Sequence, residues 1–529
     1  MFTSIPCRCL LFRTISSSRC GFLCQRLSFL TFKGKDITMS NEQQKHFQRY
    51  SSVRYFHLSP NNQSNRRTGM GTSRSQSLVQ NSSQTIRSQQ GRQVYAYGCA
   101  NMLYEESDMD PIKLKEKKLR FWLSSLRKWE YTKLGKELQQ RQIKFPSHSL
   151  KFTVLSYNVL AQNLLEEHTY LYRKADPEAL DWDSRAERIL REVRDHQADI
   201  LCLQEIQSNH YDSFYVPKLT LMGFKGVFKK RTGDKPDGCA IFFRDSMFEL
   251  KESISVEYCK PNVELLDRDN IGLVALLNPR ILHSKNSVNE DLPFIVIATT
   301  HLLYNPRRHD IKLAQLQLLF AELDLIAFNS SKATSKNNNG LSYHPTILTG
   351  DFNLTPNTSI YEFITRGSLQ YKGLSRRQLT PEDRGHVLDN ELIPPHLNVT
   401  DQCQHLHATE KRIPLVGFSS SRLSNGESSV ERFSTGQLSH LLQFQSVYPH
   451  RLDRLNGANE ATTFQNEWVT VDYIFHNGLE FKNSNLTLLS RLGLLAGKEL
   501  DALGGLPSLA SPSDHLPLVA RFLWKYRGN

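Results

Sequence analysis

Apolar and polar positions follow a regular pattern from residue 150 onward. Short apolar runs rich in β-branched residues predict strands, and they read KFTVLSYNVL, ADILCLQE, GCAIFF, LPFIVIATTH, YHPTILTGDF and WVTVDYIF. Between these runs, residues 183–196 place apolar side chains on one helical face, and residues 313–326 predict an amphipathic helix. Strands that alternate with helices predict an α/β fold built from layers.

The sequence before residue 150 has a different composition. Ser, Gln, Asn and Arg dominate much of it, so residues 1–110 are predicted to form a disordered basic leader. Residues 1–35 contain Arg and Ser but no acidic residue, as a mitochondrial transit peptide does. Residues 111–149 predict a basic amphipathic helix and linker, whose aromatic side chains we expect to dock on the folded domain rather than stack on nucleic-acid bases. The folded domain is predicted to span residues 150–526.

Charge and cysteine content narrow the classes of partner. The formal net charge of +13 fits a polyanionic partner such as nucleic acid or an anionic membrane surface, and a solvated basic tail would give the same excess. Arg8, Arg13, Arg19 and Arg26 interrupt the first apolar stretch, which excludes a membrane span there. The cysteines form no paired CxxC units with matching histidines, so we expect a reducing intracellular compartment and no zinc site.

Polar side chains end or follow several of the predicted strands. These residues are Asn158, Glu205, His301, Asp351, Asn353, Asp472, Asp514 and His515. A carboxylate that follows a buried apolar run is costly to desolvate unless it meets a cation or several hydrogen-bond donors. The set offers oxygen and imidazole ligands without thiolates, which points to one site for a hard cation. We expect Mg²⁺, with Mn²⁺ as the alternative.

A magnesium site of this composition predicts chemistry on phosphate esters. Bound Mg²⁺ polarises a phosphoryl oxygen and helps to generate a nucleophilic hydroxide. Glu205 with one or two Asp residues would suffice to hold the ion, because Mg²⁺ keeps several of its waters. His515 would then stabilise the charge on phosphate, or transfer a proton, if Asp472 orients its ring.

Seven short motifs resemble those of the exonuclease–endonuclease–phosphatase superfamily and occur in the order of that family. They are YNVL at 157–160, LQE at 203–205, DGCAIF at 237–242, TTHLL at 299–303, TGDFN at 349–353, VDYIF at 471–475 and SDHLPL at 513–518. The resemblance implies a DNase-I-like two-sheet α/β sandwich flanked by helices, with 150–526 as the catalytic domain. It also implies that Glu205 is the principal Mg²⁺ ligand, that Asp514 adds a metal contact, and that Asn158 positions the metal or the phosphate.

The same resemblance implies roles for the other matched residues. Asp351 and Asn353 resemble the pair that activates water and holds phosphate. Asp472 resembles the residue that orients the histidine matching His515. His301 stands where members of the superfamily place a group that contacts the scissile phosphate.

Within the superfamily, the chain is similar to the nocturnin and deadenylase group and, through HLLYNPRRHDIKLAQ at 301–315, to the second type of the Angel branch. That branch is associated with removal of 2′,3′-cyclic phosphate from RNA ends. The resemblance therefore implies an RNA 3′-end phosphoesterase that affects RNA processing and mRNA stability. The alternatives are a 3′-to-5′ exoribonuclease of deadenylase type and a catalytically idle mRNA-binding factor. Deadenylases often carry an adenine-stacking aromatic where this chain has Glu467, which argues against poly(A) specificity.

The interpretation as an RNA 3′-end phosphoesterase implies particular partners and compartments. The expected partners are RNA 3′ ends and mRNA 3′ untranslated regions, with no membrane. The favoured location is the cytoplasm and the nucleus. Mitochondria are the alternative, if residues 1–35 work as a transit peptide.

Overall fold

Strands and helices alternate along the chain in the computed structural model. The structure describes residues 110–526 except 147, 281–292, 330–342, 382–384, 409–433 and 479–484. The predictions for the leader and its transit segment, at 1–110 and 1–35, therefore lie outside the described residues apart from Asp110. The main helices are α1 (Pro111–Leu126), α2 (Lys133–Gln139), α3 (Gln162–Glu167), α4 (Pro177–Leu180), α5 (Trp182–His196), α6 (Val216–Leu221), α7 (His309–Ala327), α8 (Ser359–Arg366) and α9 (Gly497–Ala502).

Two mixed sheets contain most of the described strands. The strands are β1 (Trp129–Tyr131), β2 (Ser149–Asn158), β3 (Ile200–Gln207), β4 (Phe224–Lys230), β5 (Asp237–Arg244), β6 (Phe248–Glu257), β7 (Ile271–Pro279), β8 (Ile295–His301), β9 (Thr346–Asp351), β10 (Ser368–Gln370), β11 (Gln437–Ser439), β12 (Gln445–Ser446), β13 (Arg451–Leu452), β14 (Ala458–Asn459), β15 (Thr463–Gln465), β16 (Glu467–Val469), β17 (Asp472–His476), β18 (Leu486–Leu492) and β19 (Leu518–Lys525). The first sheet has the order β1–β18–β19–β2–β3–β5–β4, and the second has the order β12–β17–β9–β8–β7–β6. Among the described neighbours in these sheets, β2 with β3 and β8 with β9 are parallel.

The two sheets pack face to face with helices on their outer sides. Phe152 and Ile200 of the first sheet share one apolar cluster with Ile297 and Ile347 of the second. Helix α5 covers the outer face of the first sheet, where its apolar side chains join those of β2 and β3. Helix α7 covers the outer face of the second sheet. The predicted α/β two-sheet sandwich flanked by helices is confirmed.

Helix α7 differs from its prediction. It begins at His309 and ends at Ala327, and nearly all of its side chains are buried, so the expectation of an amphipathic helix over 313–326 was wrong. The reason is a second layer outside the helix, formed by α8 and the chain that follows it. Phe363, Leu388 and Phe444 of this layer belong to the same apolar cluster as the helix. A helix that is covered on both sides keeps no solvent face.

The run WVTVDYIF is also not one strand. It divides into β16 and β17, and β16 instead forms a hairpin with β15. Trp468 is half-buried rather than enclosed, and its indole Nε1 donates a hydrogen bond to Oδ1 of Asp501 at 2.8 Å. The break lets β17 pair with β9, starting at the Asp472–Asp351 pair.

The segment before β2 contains helix α1, and it also contributes strand β1 to the first sheet. After α1, the buried guanidinium of Arg127 donates to the carbonyls of Gly493 and Pro517 at 3.0 and 2.7 Å. Strand β1 then pairs with β18, and the Trp129 ring lies 3.7 Å from the Arg521 guanidinium. Docking of the aromatics is therefore confirmed for Trp129, whereas Phe121 is 76% exposed. No helix within the described ranges is long and apolar enough to cross a membrane.

Candidate active site

Strand pairing brings several of the predicted site residues to one end of the sandwich. Asp351 ends β9, where it is paired with His301 of the parallel β8 and with Asp472 of the antiparallel β17. Asn158 ends β2 of the facing sheet, and its amide Nδ2 donates to Oδ2 of Asp351 at 3.1 Å. The same amide donates to Oε1 of Glu205 at 2.9 Å. Asn158 therefore joins Glu205 of its own sheet to Asp351 of the facing sheet.

His515 and Asp472 form a buried hydrogen-bonded pair. The ring Nδ1 of His515 lies 2.8 Å from Oδ2 of Asp472. Burial alone lowers the pKa of His515, but the charges of Asp472, Asp351 and Asp514 raise it well above its usual value. The ring is therefore held in its charged form at neutral pH, with its orientation fixed by Asp472.

Asp351 lies at the centre of the cluster. Its Oδ2 is 3.6 Å from Nε2 of His301 and 3.8 Å from Nε2 of His515. Burial, together with the charge of Asp472, raises its pKa. Burial lowers the pKa of His301, which favours the neutral imidazole. A carboxylate with a raised pKa, next to a charged imidazole, is suited to accepting a proton.

Glu205 lies at an irregularity of β3. Pairing with β5 shifts register between Leu203 and Ile206, and Glu205 has φ +58°, which is uncommon for a residue with a side chain. Its oxygens accept hydrogen bonds from two neutral donors, the Asn158 amide and the backbone N–H of Ala161. Burial, with the charges of Asp514 and Asp237, raises the pKa of Glu205 to about 7.

Asp514 and Asn353, the two other predicted residues, make hydrogen bonds around this cluster. Oδ2 of Asp514 accepts a hydrogen bond from the Tyr172 hydroxyl at 2.7 Å. The Asn353 side chain donates to the carbonyl of Leu302 at 3.1 Å and accepts from Nε2 of Gln465 at 3.3 Å. Its backbone N–H donates to Oδ1 of Asp351 at 2.9 Å. Asn353 thus shapes the turn after β9, while its amide is occupied by loop contacts.

The donor set fits a divalent cation. Ligand atoms of Asp351, Asp472 and His515 lie within 4.8 Å of one another. Since Nδ1 of His515 is bonded to Asp472 and the ring is charged, His515 is a poor metal ligand in this state. Glu205 and Asp514 offer oxygens, and the hydrogen-bond donors that reach the Glu205 carboxylate, the Asn158 amide and the Ala161 N–H, are both neutral. A hard cation next to Glu205 would supply a positive partner.

Sequence reasoning missed three residues that support the site. Arg185 is buried, and it donates to the carbonyls of Val159, Leu160 and Pro512 at distances from 2.6 to 2.7 Å. Its signal was a charge on the apolar face of α5, four positions before Ile189. Lys312 was a charge inside an apolar run, and its Nζ donates to the carbonyl of Asn353. Tyr172 had no sequence signal.

A two-sheet sandwich with buried carboxylates and an Asp–His pair at one end defines a class of metal-dependent phosphoesterases. The Endonuclease/Exonuclease/phosphatase family matches residues 155–515 of the chain. The chain belongs to this family and, within it, to the Angel proteins.

Two relatives and one solved structure place it there. Protein angel homolog 2 of Homo sapiens is 37% identical over 427 residues, which cover 75% of this chain and 75% of that protein. Protein angel homolog 1 of Homo sapiens is 36% identical, over 70% of this chain and 63% of that protein. The crystal structure of ANGEL2, a 2′,3′-cyclic phosphatase, in complex with adenosine-2′,3′-vanadate matches with a TM-score of 0.60 and 36% identity, covering 75% of this chain and 99% of that one. The predicted relationship to the Angel branch is confirmed.

Proposed function

We propose that this protein is a magnesium-dependent phosphoesterase that hydrolyses 2′,3′-cyclic phosphate at RNA 3′ ends. The observation that carries the proposal is the buried cluster of His515, Asp472 and Asp351 beside Glu205. A relative at 36% identity that is a 2′,3′-cyclic phosphatase supports the choice of substrate.

Glu205 and Asp514 would hold the ion in this proposal. Mg²⁺ suits oxygen ligands and needs only one or two carboxylates, and Mn²⁺ is the alternative ion. When bound, it would polarise a phosphoryl oxygen and favour deprotonation of water. Asn158 donates to Glu205 and to Asp351, so it fixes both carboxylates relative to each other.

The other residues act on the phosphate and on the attacking water. Asp351 accepts the proton of water, for which its raised pKa is favourable. His515, held in its charged form by Asp472, stabilises the negative charge that develops on the phosphoryl oxygens. His301 contacts the scissile phosphate from the side of β8, while Asn353 holds the turn that carries Asp351.

Complete removal of the cyclic phosphate needs two hydrolyses. The first water opens the ring by breaking one of its two P–O ester bonds, and it leaves a phosphomonoester and a free hydroxyl. The second water cleaves the monoester, and it releases inorganic phosphate and restores the diol. Each step places negative charge on the same phosphoryl group, so one cluster can serve both.

Two alternatives keep the same fold. Deadenylase-type exoribonucleases often carry a base-stacking aromatic just before the aspartate that matches Asp472, whereas this chain has the exposed Glu467 at that place. The neighbouring Trp468 is engaged with Asp501 and packs against Gly497. An idle mRNA-binding factor would not need a buried Asp–His pair, whose desolvation is costly.

Two matched RNAs distinguish these functions. One ends in a 2′,3′-cyclic phosphate, and the other has the same body followed by poly(A) with a free 3′ hydroxyl. Each is incubated with Mg²⁺ and with either the wild type or Glu205→Gln. Loss of the cyclic phosphate without shortening supports the proposal. Progressive shortening of the poly(A) strand supports the exoribonuclease, and no change in either RNA supports the idle binder.

We further propose that the basic leader raises affinity for long RNA through phosphate contacts. Such contacts release counterions, so affinity should fall steeply with salt, and deletion of residues 1–110 should flatten that slope. Equal slopes for the full chain and the deletion would assign RNA contact to the catalytic domain.

The proposed function also includes binding to mRNA 3′ untranslated regions and a cytoplasmic and nuclear location. A reporter fused to residues 1–35 that enters mitochondria would contradict that location.

A further inference from the structure

Among the fully buried polar side chains of helix α7, Lys312 and Gln315 lie one turn apart. Residues three positions apart lie on the same face of a helix. Both side chains reach loops that follow strands of the second sheet, β8 and β9. Those loops follow His301 and Asp351, two residues of the candidate active site.

Lys312 contacts the loop after β9. Its Nζ donates a hydrogen bond to the backbone carbonyl of Asn353. Asn353 has φ +52°, a left-handed conformation that Asn adopts more readily than most residues and that turns the chain after β9. The backbone N–H of the same residue donates to Oδ1 of Asp351. Lys312 therefore holds the turn that orients Asp351.

Gln315 contacts the loop after β8. Its Oε1 accepts a hydrogen bond from the backbone N–H of Leu303 at 3.1 Å. Its Nε2 donates to Oδ1 of Asn270 at 3.2 Å, and Nδ2 of Asn270 donates to the carbonyl of His301 at 3.1 Å. Gln315 thus connects the backbone of His301 and Leu303, at the end of β8, to the helix.

The two loops are also joined to each other. Asn353 donates from Nδ2 to the carbonyl of Leu302, and the N–H of Leu302 donates to the carbonyl of Asp351 at 3.0 Å. Lys312, Gln315 and the two loops therefore form one buried hydrogen-bonded network behind the site. Networks of this kind restrict the orientation of their members.

The energetics favour a functional reason for Lys312. An ammonium group is costly to bury, and an apolar side chain would pack at this position without that cost. Burial lowers the pKa of Lys312 to about 8, although the nearby charge of Asp351 acts in the opposite direction.

We propose that Lys312 and Gln315 are positioning residues, which keep Asp351 and His301 directed at one phosphoryl group. The inference rests on the phosphoesterase activity proposed above. Positioning residues act on the chemical step more than on substrate binding. Their removal should therefore lower kcat and leave KM for a short RNA nearly unchanged.

The test compares Lys312→Met and Gln315→Met with a control on the same helix. Gln317 is also fully buried, but its amide donates to the carbonyl of Thr400, away from the site, so Gln317→Met tests the loss of buried polarity alone. Kinetics are measured on a short RNA ending in 2′,3′-cyclic phosphate, and thermal unfolding is recorded for each variant. We expect kcat to fall by about 10- to 100-fold in the two site variants and by less than about 3-fold in the control. Lys312→Arg, which keeps a charged donor, should recover part of the loss.

Each outcome bears on one claim. An inactive wild type contradicts the proposed function, whereas an active wild type with unchanged kcat in both site variants overturns the positioning role. Equal losses in Gln317→Met and Lys312→Met would also overturn it, because they would trace the effect to the stability of the helix. If Lys312→Met does not fold, Gln315→Met decides by the same criteria.

Discussion

The Nδ1 atom of His515 lies 2.8 Å from Oδ2 of Asp472, and both side chains are buried. This contact leaves Nε2 of the ring on the side of Asp351, at 3.8 Å from its Oδ2. The pair joins two segments that are 43 positions apart in sequence. It converts a histidine that burial alone would keep neutral into a cation directed at the centre of the site.

Asp472→Asn should remove the charge while keeping the shape. Without the carboxylate, the pKa of His515 loses the largest contribution that raises it, and the ring loses the partner that fixes its orientation. We expect kcat to fall roughly 10²- to 10⁴-fold, the range typical of losing an acid–base or charge-stabilising group. Kinetics on the cyclic-phosphate RNA measure this, and circular dichroism checks that the variant is folded. Turnover within a factor of two of the wild type would show that the pair has no part in the reaction.

Glu205→Gln should remove the main metal ligand with little change in volume. A metal that acts as a Lewis acid is worth several kcal/mol, so we expect a loss of roughly 10³-fold or more. Calorimetric titration with Mg²⁺ should show weaker binding to the variant than to the wild type. Normal Mg²⁺ affinity in a folded Glu205→Gln protein would place the ion on other residues, and the cluster of Asp351 and Asp472 would be the first to test.

The sequence was sufficient to predict that the polar strand ends converge. Asn158, His301 and Asp351 each follow a run of buried apolar residues, and in a layered fold the ends of adjacent parallel strands lie at one edge. The pairing of Asp472 with Asp351 could not be predicted, because it depends on the break between β16 and β17. The left-handed backbone of Glu205 likewise depends on a register shift between strands that are distant in sequence.

The sequence also did not predict that helix α7 is buried on all sides, or which groups its buried cation and that of α5 contact. The apolar pattern of α7 indicated a helix, but the second layer over it comes from residues far along the chain. The partners of Arg185 and Lys312 are mostly backbone carbonyls, which carry no residue-specific signal. Only an assembled fold shows which carbonyls a buried cation can reach.

Arg185→Leu should destabilise the fold around the site. The guanidinium donates to three backbone carbonyls and to Oε1 of Gln162, and all of these acceptors would lose their donor. Removing one partner of a buried charged network costs about 3–5 kcal/mol. Denaturant unfolding measures the change. A loss below about 1 kcal/mol would mean that water replaces the guanidinium, and the group would then not be a structural anchor.

Stability should also depend on pH through Glu460. This carboxyl is 2% exposed, and burial raises its pKa from 4.5 to about 7. Because the folded state holds the proton more tightly than the unfolded state, stability decreases as pH rises between about 4.5 and about 7. Glu460→Gln has no such proton, so its stability relative to the wild type should increase by up to about 3 kcal/mol over that range. Parallel stability curves for the two proteins would show that Glu460 titrates normally.

The release of inorganic phosphate from a short RNA that ends in 2′,3′-cyclic phosphate tests the central claim most directly. The wild type with Mg²⁺ should release one phosphate per RNA molecule and leave the length of the strand unchanged. EDTA should abolish the reaction, and Glu205→Gln should reproduce that loss with Mg²⁺ present. A folded wild-type protein that releases no phosphate, or that shortens the strand instead, would contradict the account.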